Sequence, residues 1–323
     1  MPIATINDAV IYNEQFRTLM GERLKQVTDN IINASNGAIQ MVTRPSRGDY
    51  EQENFFKLLN NMITRRDDGS TAAADFDNLS QGENNRVKVK RKVRVGSTED
   101  FVHSNGHQRD AIVAEIAEQY AVEKVAEMLN TAVTCAVAAI GANPAVTHNA
   151  GAVISPREIN ATLRRFGDRY SDIGVLLAHS GSYFDLNDNL IGDRIFESSS
   201  FVIRTGTPQT LGKPVIVTDS PSLVDIGGVA NTNAVLGLTS GGIQLINSFD
   251  DNLYIDRDGK SENIQTLFSI DTEYVAGVKG YSWDIAAGGK NPADAALATG
   301  TNWDKVATED KSTAGVMLIH DAA

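Results

Sequence analysis

Residues able to act as nucleophiles or general bases are few in this chain, and they are poorly grouped. Ser180 follows His179 in the segment 178–182, Ala-His-Ser-Gly-Ser, and a serine beside a histidine invites comparison with a hydrolase. A nucleophile elbow needs the pattern G-x-S-x-G, which this segment does not supply. The sequence therefore favours Ser180 as the cap of a helix that carries Tyr183 and Leu186, and we predict no catalytic residue.

Metal and cofactor chemistry has equally little support. The five histidines show no HExxH or similar ligand spacing, and the single cysteine, Cys135, cannot form an internal disulfide or a cysteine-based zinc site. The segment from Asp256 to Glu262 contains a D-x-D-G fragment without the full ligand ladder of an EF-hand, so a surface turn is the better interpretation. The sequence contains no GxxxxGK[ST] phosphate loop. We predict no metal and no cofactor.

The net charge of the chain is −12, from 29 Lys and Arg against 41 Asp and Glu. A protein that grips nucleic acid is usually basic on the contacting face, so the bulk charge argues against that role. No stretch reaches the roughly 18 apolar residues of a membrane span, and the N-terminus lacks the pattern of a secretion signal. These features predict a protein that folds in a reducing cytoplasm and has no membrane partner.

The most concentrated run of charge lies between Arg86 and Val95, where basic and valine residues alternate. This period of two predicts a β-strand with one polar face. Like charges on one face repel one another, so acidic groups or solvent should lie opposite. Two interpretations remain open: an arm lying on an acidic neighbouring subunit, and a solvated edge strand protected from aggregation. The five basic residues of that face are Arg86, Lys88, Lys90, Lys92 and Arg94.

These residues need a scaffold, and the longest predicted element is a helix from Gln108 to Ile140. Apolar residues recur at helical spacing along one side of it, and charged and amide residues occupy the other. At 1.5 Å per residue this helix is about 50 Å long, which suits a plate-like subunit better than a small globular domain. Gly141 and Pro144 mark its end.

A second amphipathic helix is predicted over residues 7–33, with a narrow apolar stripe that includes Phe16 and Leu24. This stripe packs either on its own domain or on another subunit. Residues 50–64 also show a short helical pattern, and residues 67–85 form an acidic segment that we interpret as an exposed tip.

The second half of the chain alternates between helix and strand patterns. Ser155, Pro156 and Glu158 predict a capped helix start, and that helix should end at Gly167. A short helix is predicted at residues 292–298. The final strand is apolar, so we expect it inside a sheet. The predicted strands cover residues 173–178, 211–217, 234–238, 265–285 and 314–319.

The order of these parts resembles the major capsid proteins of tailed bacteriophages, which have the Hong Kong 97-type fold. The resemblance covers nearly the whole chain and includes the phrases Thr272–Trp283, Asn291–Leu297 and Thr301–Trp303. It implies an α+β fold with an N-terminal arm, an extended β-hairpin loop, a long spine helix beside a peripheral sheet, and an axial domain.

The resemblance also divides the chain into six parts. In order, these are the N-terminal arm (1–45), the extended loop (46–107), the spine helix of the peripheral domain (108–147), the axial domain (148–249), the return strands of the peripheral domain (250–290) and a C-terminal segment that closes the axial domain (291–323).

The function implied by the resemblance is structural, not enzymatic. Copies of the chain would form pentamers and hexamers of an icosahedral head shell around double-stranded DNA, touching the DNA only weakly and non-specifically. The shell would assemble in the host cytoplasm and remain in the virion head. Expected partners are a portal, a decoration protein in some members and, because the chain begins almost at the arm helix, a separate scaffolding protein. The five basic residues, with Phe16 and Leu24, are the predicted contacts between subunits.

Two alternatives remain open at this point. Bacterial encapsulin-type nanocompartment shells share the fold but enclose enzymes, and sequence alone separates them poorly from phage shells. A cytoplasmic hydrolase using Ser180 and His179 is the remote alternative, from a different functional class.

Overall fold

The computed structural model describes residues 21–26, 28–29, 32–59, 63, 65, 68–69, 78–98, 109–197, 212–247, 251–259 and 262–323. Its α-helices are α1 (Arg109–Gly141), α2 (Pro156–Leu163), α3 (Ser180–Glu197), α4 (Ile285–Gly288) and α5 (Asp294–Leu297). Its strands are β1 (Ile39–Thr43), β2 (Tyr50–Phe56), β3 (Gln81–Thr98), β4 (Thr147–Val153), β5 (Ile173–Ala178), β6 (Val215–Val217), β7 (Thr232–Thr239), β8 (Ile243–Asn247), β9 (Asn252–Asp258), β10 (Gln265–Val278), β11 (Tyr281–Trp283), β12 (Trp303–Lys305) and β13 (Gly315–Asp321).

The larger sheet is organised around β10. This strand pairs antiparallel with β3 along one edge, and with β9 and then β8 along the other. β2 continues the sheet beyond β3, β1 adds to β8, and β11 and β12 follow the end of β10. The part made of β9, residues 265–273 of β10 and the facing residues 90–98 of β3, here called the three-stranded extension, continues past the last paired residues of β8 and β2.

Helix α1 lies on one face of this extension. The alternation of side chains along a strand places Val93 of β3 beside Phe268 and Ile270 of β10 on the inner face. These residues pack against Ala117 and Tyr120 near the start of the helix. The basic positions of β3 therefore point to the opposite, outer face of the extension.

The second sheet has five strands in the order β4-β13-β7-β5-β6. β13 pairs parallel with β4 and antiparallel with β7, which confirms the prediction of a final strand inside a sheet. The C-terminal half of α1 packs against this sheet as well as the larger one, with Ala136 and Ile140 in the same apolar core as Val316 and Met317. One helix thus holds two sheets.

Residues Glu115–Gly141 of this helix are long and apolar enough to cross a membrane by length and composition, which corrects the prediction that no stretch of the chain is. Most of that window is buried against the two sheets. The apolar content of the helix is therefore explained by packing on two sides.

The long helix, the basic strand and the capped start of α2 are confirmed. Ser155 is the N-cap and accepts a hydrogen bond from the Glu158 backbone N–H at 3.4 Å, with Pro156 in the first turn. The Glu158 carboxylate lies 2.8 Å from Nε2 of His148, so it contacts an imidazole instead of completing a capping box. The helix gives way after Leu163 to a 3-10 segment, kinked at Gly167.

The helix predicted over residues 50–64 is wrong for residues 50–56, which form β2. Their helical spacing is overridden by pairing with residues 81–87 of β3, a contact between segments distant in sequence. Strands β1, β4, β8, β9 and β12 were not predicted, and β8 belongs to the larger sheet although it was placed with the axial segment. Of the predicted exposed tip at residues 67–85, residues 81–85 lie in β3 and pair with β2, so that part of the prediction is wrong; residues 67 and 70–77 lie outside the described residues.

The five-stranded sheet yields a stability prediction at Gly315. A Cβ atom there would lie 1.9 Å from the backbone carbonyl oxygen of Gly237, on the neighbouring strand β7. Backbone atoms cannot yield as a flexible side chain can, so Gly315→Ala should lower the free energy of unfolding by about 3 kcal/mol or more. Urea titration followed by circular dichroism measures this loss. Gly259→Ala is the matched control, because nothing lies within 4 Å of its added methyl group; similar losses in both variants would refute the argument.

Candidate subunit-contact surface

The outer face of the three-stranded extension carries opposite charges on adjacent strands. Lys92 of β3 lies directly across from Asp271 of β10, and Lys90 lies across from Glu273. Opposite charges at such cross-strand positions stabilise a sheet modestly. The acidic groups expected to face the basic strand are therefore supplied, at least in part, by the next strand of the same chain.

Arg86 and Lys88 are buried, at 8% and 4% exposure. Arg86 forms an ion pair with Glu51 at 3.2 Å, contacts Glu53, and donates to Oε1 of Gln244 at 2.6 Å. Their burial corrects the prediction that both side chains reach a neighbouring subunit, since they are enclosed within their own chain.

Lys88 is enclosed by oxygen atoms of its own chain. Its Nζ lies 2.7 Å from a Glu273 carboxylate oxygen. It also donates to the carbonyl oxygens of Ser46 and Gly48 at 3.3 and 3.1 Å. The ammonium group thus joins the segment before β2 to β3 and β10, which is a role in folding.

Lys90, Lys92 and Arg94 are exposed. Arg94 contacts Asp271 at 2.7 Å, but both side chains remain about half exposed to solvent, at 48% and 61%. Exposed pairs of this kind contribute little to stability. These three side chains are the part of the predicted basic surface that another molecule can reach.

Arg91, the residue that broke the alternation of the basic strand, lies on the inner face. Its Nε is 2.8 Å from Glu127 of α1, and it also bonds to Asp294 of α5. Burial lowers the pKa of Arg91, and its bonds with Asp294 and Tyr274 more than offset that effect, so the pKa rises. Arg91 therefore connects β3 to two helices as a permanent cation.

The β2–β3 hairpin carries large apolar side chains that the fold leaves uncovered. Ile63 is 96% exposed and Phe56 is 63% exposed, and Leu58 and Leu79 are similarly open. A groove of about 310 Å³ runs between the hairpin and residues 306–309. Large apolar side chains exposed beside a groove indicate an interaction site. From the sequence, Leu58 and Ile63 were assigned to the apolar side of a predicted helix and Leu79 to an exposed tip, so a shared surface was not predicted.

Of the two predicted apolar contact residues, Phe16 lies outside the described residues. Leu24 is half-buried, within a helical stretch at residues 21–26. The neighbouring Arg23 contacts Glu118 of α1 at 3.5 Å, so the described part of the arm lies against its own long helix.

The residues considered for hydrolysis have other roles in the structure. His179, not Ser180, caps α3: its Nδ1 accepts a hydrogen bond from the Gly181 backbone N–H at 3.1 Å. A different serine–histidine pair, Ser182 and His320, has an Oγ–Nε2 distance of 2.9 Å. Both residues of this pair are 0% exposed, so it joins α3 to β13 out of reach of a substrate. Within the ranges that the structure describes, no cluster of three His, Cys, Asp or Glu residues is arranged to hold a metal.

The fold is that of phage capsid subunits. The chain is similar to a capsid subunit of cyanophage Pam1, with a TM-score of 0.52 and 12% identity over 86% of each chain. It is also similar to a structure from Mycobacterium phage Adephagia, with a TM-score of 0.52 and 11% identity over 89% of each chain. A capsid structure of Helicobacter pylori bacteriophage KHP30 matches with a TM-score of 0.51 and 9% identity, over 90% of this chain and 89% of that one. The Hong Kong 97-type fold expected from the sequence is confirmed.

The particular family is shown by its sequence model. Residues 8–317 match the Gp13-like family, described as major capsid protein 13-like, so the chain belongs to that family. No curated protein matches the chain in sequence. The prediction of a structural major capsid protein of tailed phages is confirmed, and the nanocompartment alternative is not favoured.

The contrast between Lys88 and Lys92 can be tested by charge reversal. Lys88→Glu places a carboxylate beside Glu273 in a buried site, and should lower the free energy of unfolding by about 3–5 kcal/mol. Lys92→Glu meets Asp271 on an exposed face, where the loss should stay below about 1 kcal/mol. Denaturant unfolding of both purified variants provides the comparison. Equal losses would mean that Lys88 is not enclosed as described.

The Ser182–His320 pair predicts a pH dependence. Burial lowers the pKa of His320 below its usual 6.5, although the carboxylates of Asp185 and Asp321 oppose this. The folded state then binds fewer protons than the unfolded state, so this contribution to stability is complete above about pH 6.5 and declines below it, by at most about 1.4 kcal/mol per pH unit.

Replacing the imidazole with an amide should remove this dependence. The stability advantage of the wild type over His320→Gln should shrink between about pH 7.5 and about pH 5.5. Urea unfolding at both pH values measures it. His179→Gln serves as a control for a histidine near the same helix. If the stability difference between the wild type and His320→Gln stayed constant with pH, the pH dependence could not be attributed to His320.

Proposed function

We propose that copies of this chain assemble into the icosahedral head shell of a tailed phage, as pentamers and hexamers around its double-stranded DNA. The observation that carries this proposal is the exposed surface of the hairpin and the extension. Exposed apolar side chains lie on the β2–β3 hairpin, and exposed basic side chains lie on the three-stranded extension. Among the described residues none covers these side chains, so other copies of the chain can dock on them.

Lys90, Lys92 and Arg94 are the proposed electrostatic contacts between subunits. The net charge of −12 gives neighbouring copies ample acidic surface for them. Phe16 and Leu24 are proposed to add an apolar contact through the N-terminal arm. Many weak contacts of this type allow misplaced subunits to dissociate, while closure of the shell adds avidity.

The domain division expected from the sequence is kept as a proposal, with the six parts bounded as above. The C-terminal segment 291–323 contributes to both sheets, because β12 lies in the larger sheet and β13 in the smaller one.

We further propose that a separate scaffolding protein guides assembly in the host cytoplasm, that a portal occupies one vertex, and that the chain has no enzymatic activity. The acidic character of the chain suits an inner wall that neutralises few phosphates, so contact with packaged DNA would be weak and non-specific.

Charge reversal at the exposed basic residues tests the proposed contact. The variant K90E/K92E/R94E should fold normally by circular dichroism but fail to form closed particles, because the acidic surface of the next copy would repel it. Size exclusion with light scattering, followed by negative-stain imaging of the same fraction, shows the product. Each protein is co-expressed with the neighbouring head genes of its phage.

The charge-conserving variant K90R/K92R/R94K is the matched control and should still assemble. Normal shells from the charge-reversed variant would remove these residues from the contact. Absence of closed particles from the wild type under the same conditions would count against the shell function itself.

A further inference from the structure

A buried ion pair joins α1 to the start of β9. Lys124 Nζ lies 2.8 and 2.7 Å from the two carboxylate oxygens of Asp251, and the Tyr120 hydroxyl donates to the same carboxylate at 3.1 Å. Lys124 is 4% exposed and Asp251 is 8% exposed. Burial lowers the pKa of Lys124, although the carboxylate of Asp251 opposes this effect. Because the pair is buried, water cannot solvate either charge if its partner moves away.

The pair lies where the larger sheet changes partners. β10 is paired with β8 as far as Tyr274 and Asn247, and with β9 from Asp271 and Asn252 onward. Asp251 directly precedes β9, so it occupies the junction between the sheet body and the three-stranded extension. The ion pair therefore joins the long helix to the root of the extension.

The apolar core is divided at the same place. Ala117 and Tyr120 belong to a small cluster with Phe268 and Ile270 under the extension. The main core begins further along the helix, at Met128. Lys124 lies between them in the helix, at the seam of two separately packed regions.

Apolar packing alone specifies the position of the helix weakly at this seam. The buried apolar residues next to Lys124 are Ala121 and Val125, which belong to neither cluster. Apolar contacts are non-directional and tolerate sliding. The ion pair with its tyrosine, in contrast, has correct geometry in one arrangement only. Buried ion pairs often add little stability compared with apolar replacements, and one attested use is to fix a unique alignment.

We propose that Lys124 and Asp251 are positioning residues that fix the angle between the three-stranded extension and the body of the subunit. This inference rests on the proposed function in one respect: in a shell, the angle decides the direction in which Lys90, Lys92 and Arg94 are presented to the next copy. An apolar replacement of the pair should therefore preserve folding while allowing more than one angle.

The angle is measured on the full-length soluble chain, independently of assembly. Nitroxide labels are attached at Tyr254→Cys on β9 and at Tyr170→Cys beside the five-stranded sheet, both exposed positions, while the native Cys135 is buried. Pulsed electron resonance then gives the distance distribution between the labels. The background protein should show one narrow peak. K124M/D251L should show a broadened or split distribution with a melting temperature close to that of the background protein.

D49L/K290M is the matched control, since it removes an exposed ion pair of the same chemistry with a spacing of 3.1 Å and should leave the distribution narrow. If K124M/D251L does not fold, K124Q/D251N replaces it, and the width of its distance distribution is judged in the same way. A narrow, unshifted distribution in the folded variant would overturn the inference.

Assembly of the same proteins without labels separates this inference from the proposed function. Wild-type shells of one diameter and variant particles of mixed diameter would support both. Wild-type protein that forms no particles would count against the shell function, whereas the label distances would still decide the role of the ion pair. Uniform shells from a variant with a broadened distribution would show that the angle does not control assembly, and would overturn that part of the inference.

Discussion

The structure depends on the contact between helix α1 and the inner face of β10 and its neighbours. This helix is the common wall of two sheets: its first half covers the extension, and its second half lies between the sheet body and the five-stranded sheet. Because one rigid rod joins both cores, any displacement of the rod moves both sheets together.

Charge is distributed along β3 according to depth. The same alternating pattern yields buried, paired cations at Arg86 and Lys88, and exposed ones at Lys90, Lys92 and Arg94. The difference arises from what lies alongside: β2 and the segment before it enclose the first two, whereas the later residues lie on the open extension. One strand thereby contributes to folding at one end and offers a surface at the other.

Much of the fold was predictable because its main elements are strongly periodic. The long helix, β10 and β13 carry clear periodic patterns, β3 alternates except at Arg91, and the Ser155 cap is a local signal. Most of the failed predictions depend on contacts between residues that are distant in sequence. The spacing of residues 50–56 suits a helix until β3 is available to pair with it, and Lys124 and Asp251 are 127 residues apart in the chain. His179, and not the predicted Ser180, caps helix α3, because its imidazole Nδ1 accepts a hydrogen bond from the Gly181 backbone N–H. Sequence order also could not show that Lys88 would be enclosed by backbone carbonyls.

The extension has little apolar core of its own, and this determines how it is held. Its small cluster under α1 contributes some burial, but polar contacts flank it: Arg91 bonds to Glu127, and Lys124 to Asp251. Apolar packing is non-directional and tolerates sliding, whereas charge-assisted hydrogen bonds require a defined geometry. A subunit that must match many neighbours gains more from a defined direction than from additional stability, because weak contacts add up only when they are made simultaneously. The polar contacts at the root of the extension are therefore best understood as setting its direction, at sites where hydrophobic residues would hold it at least as strongly but less specifically.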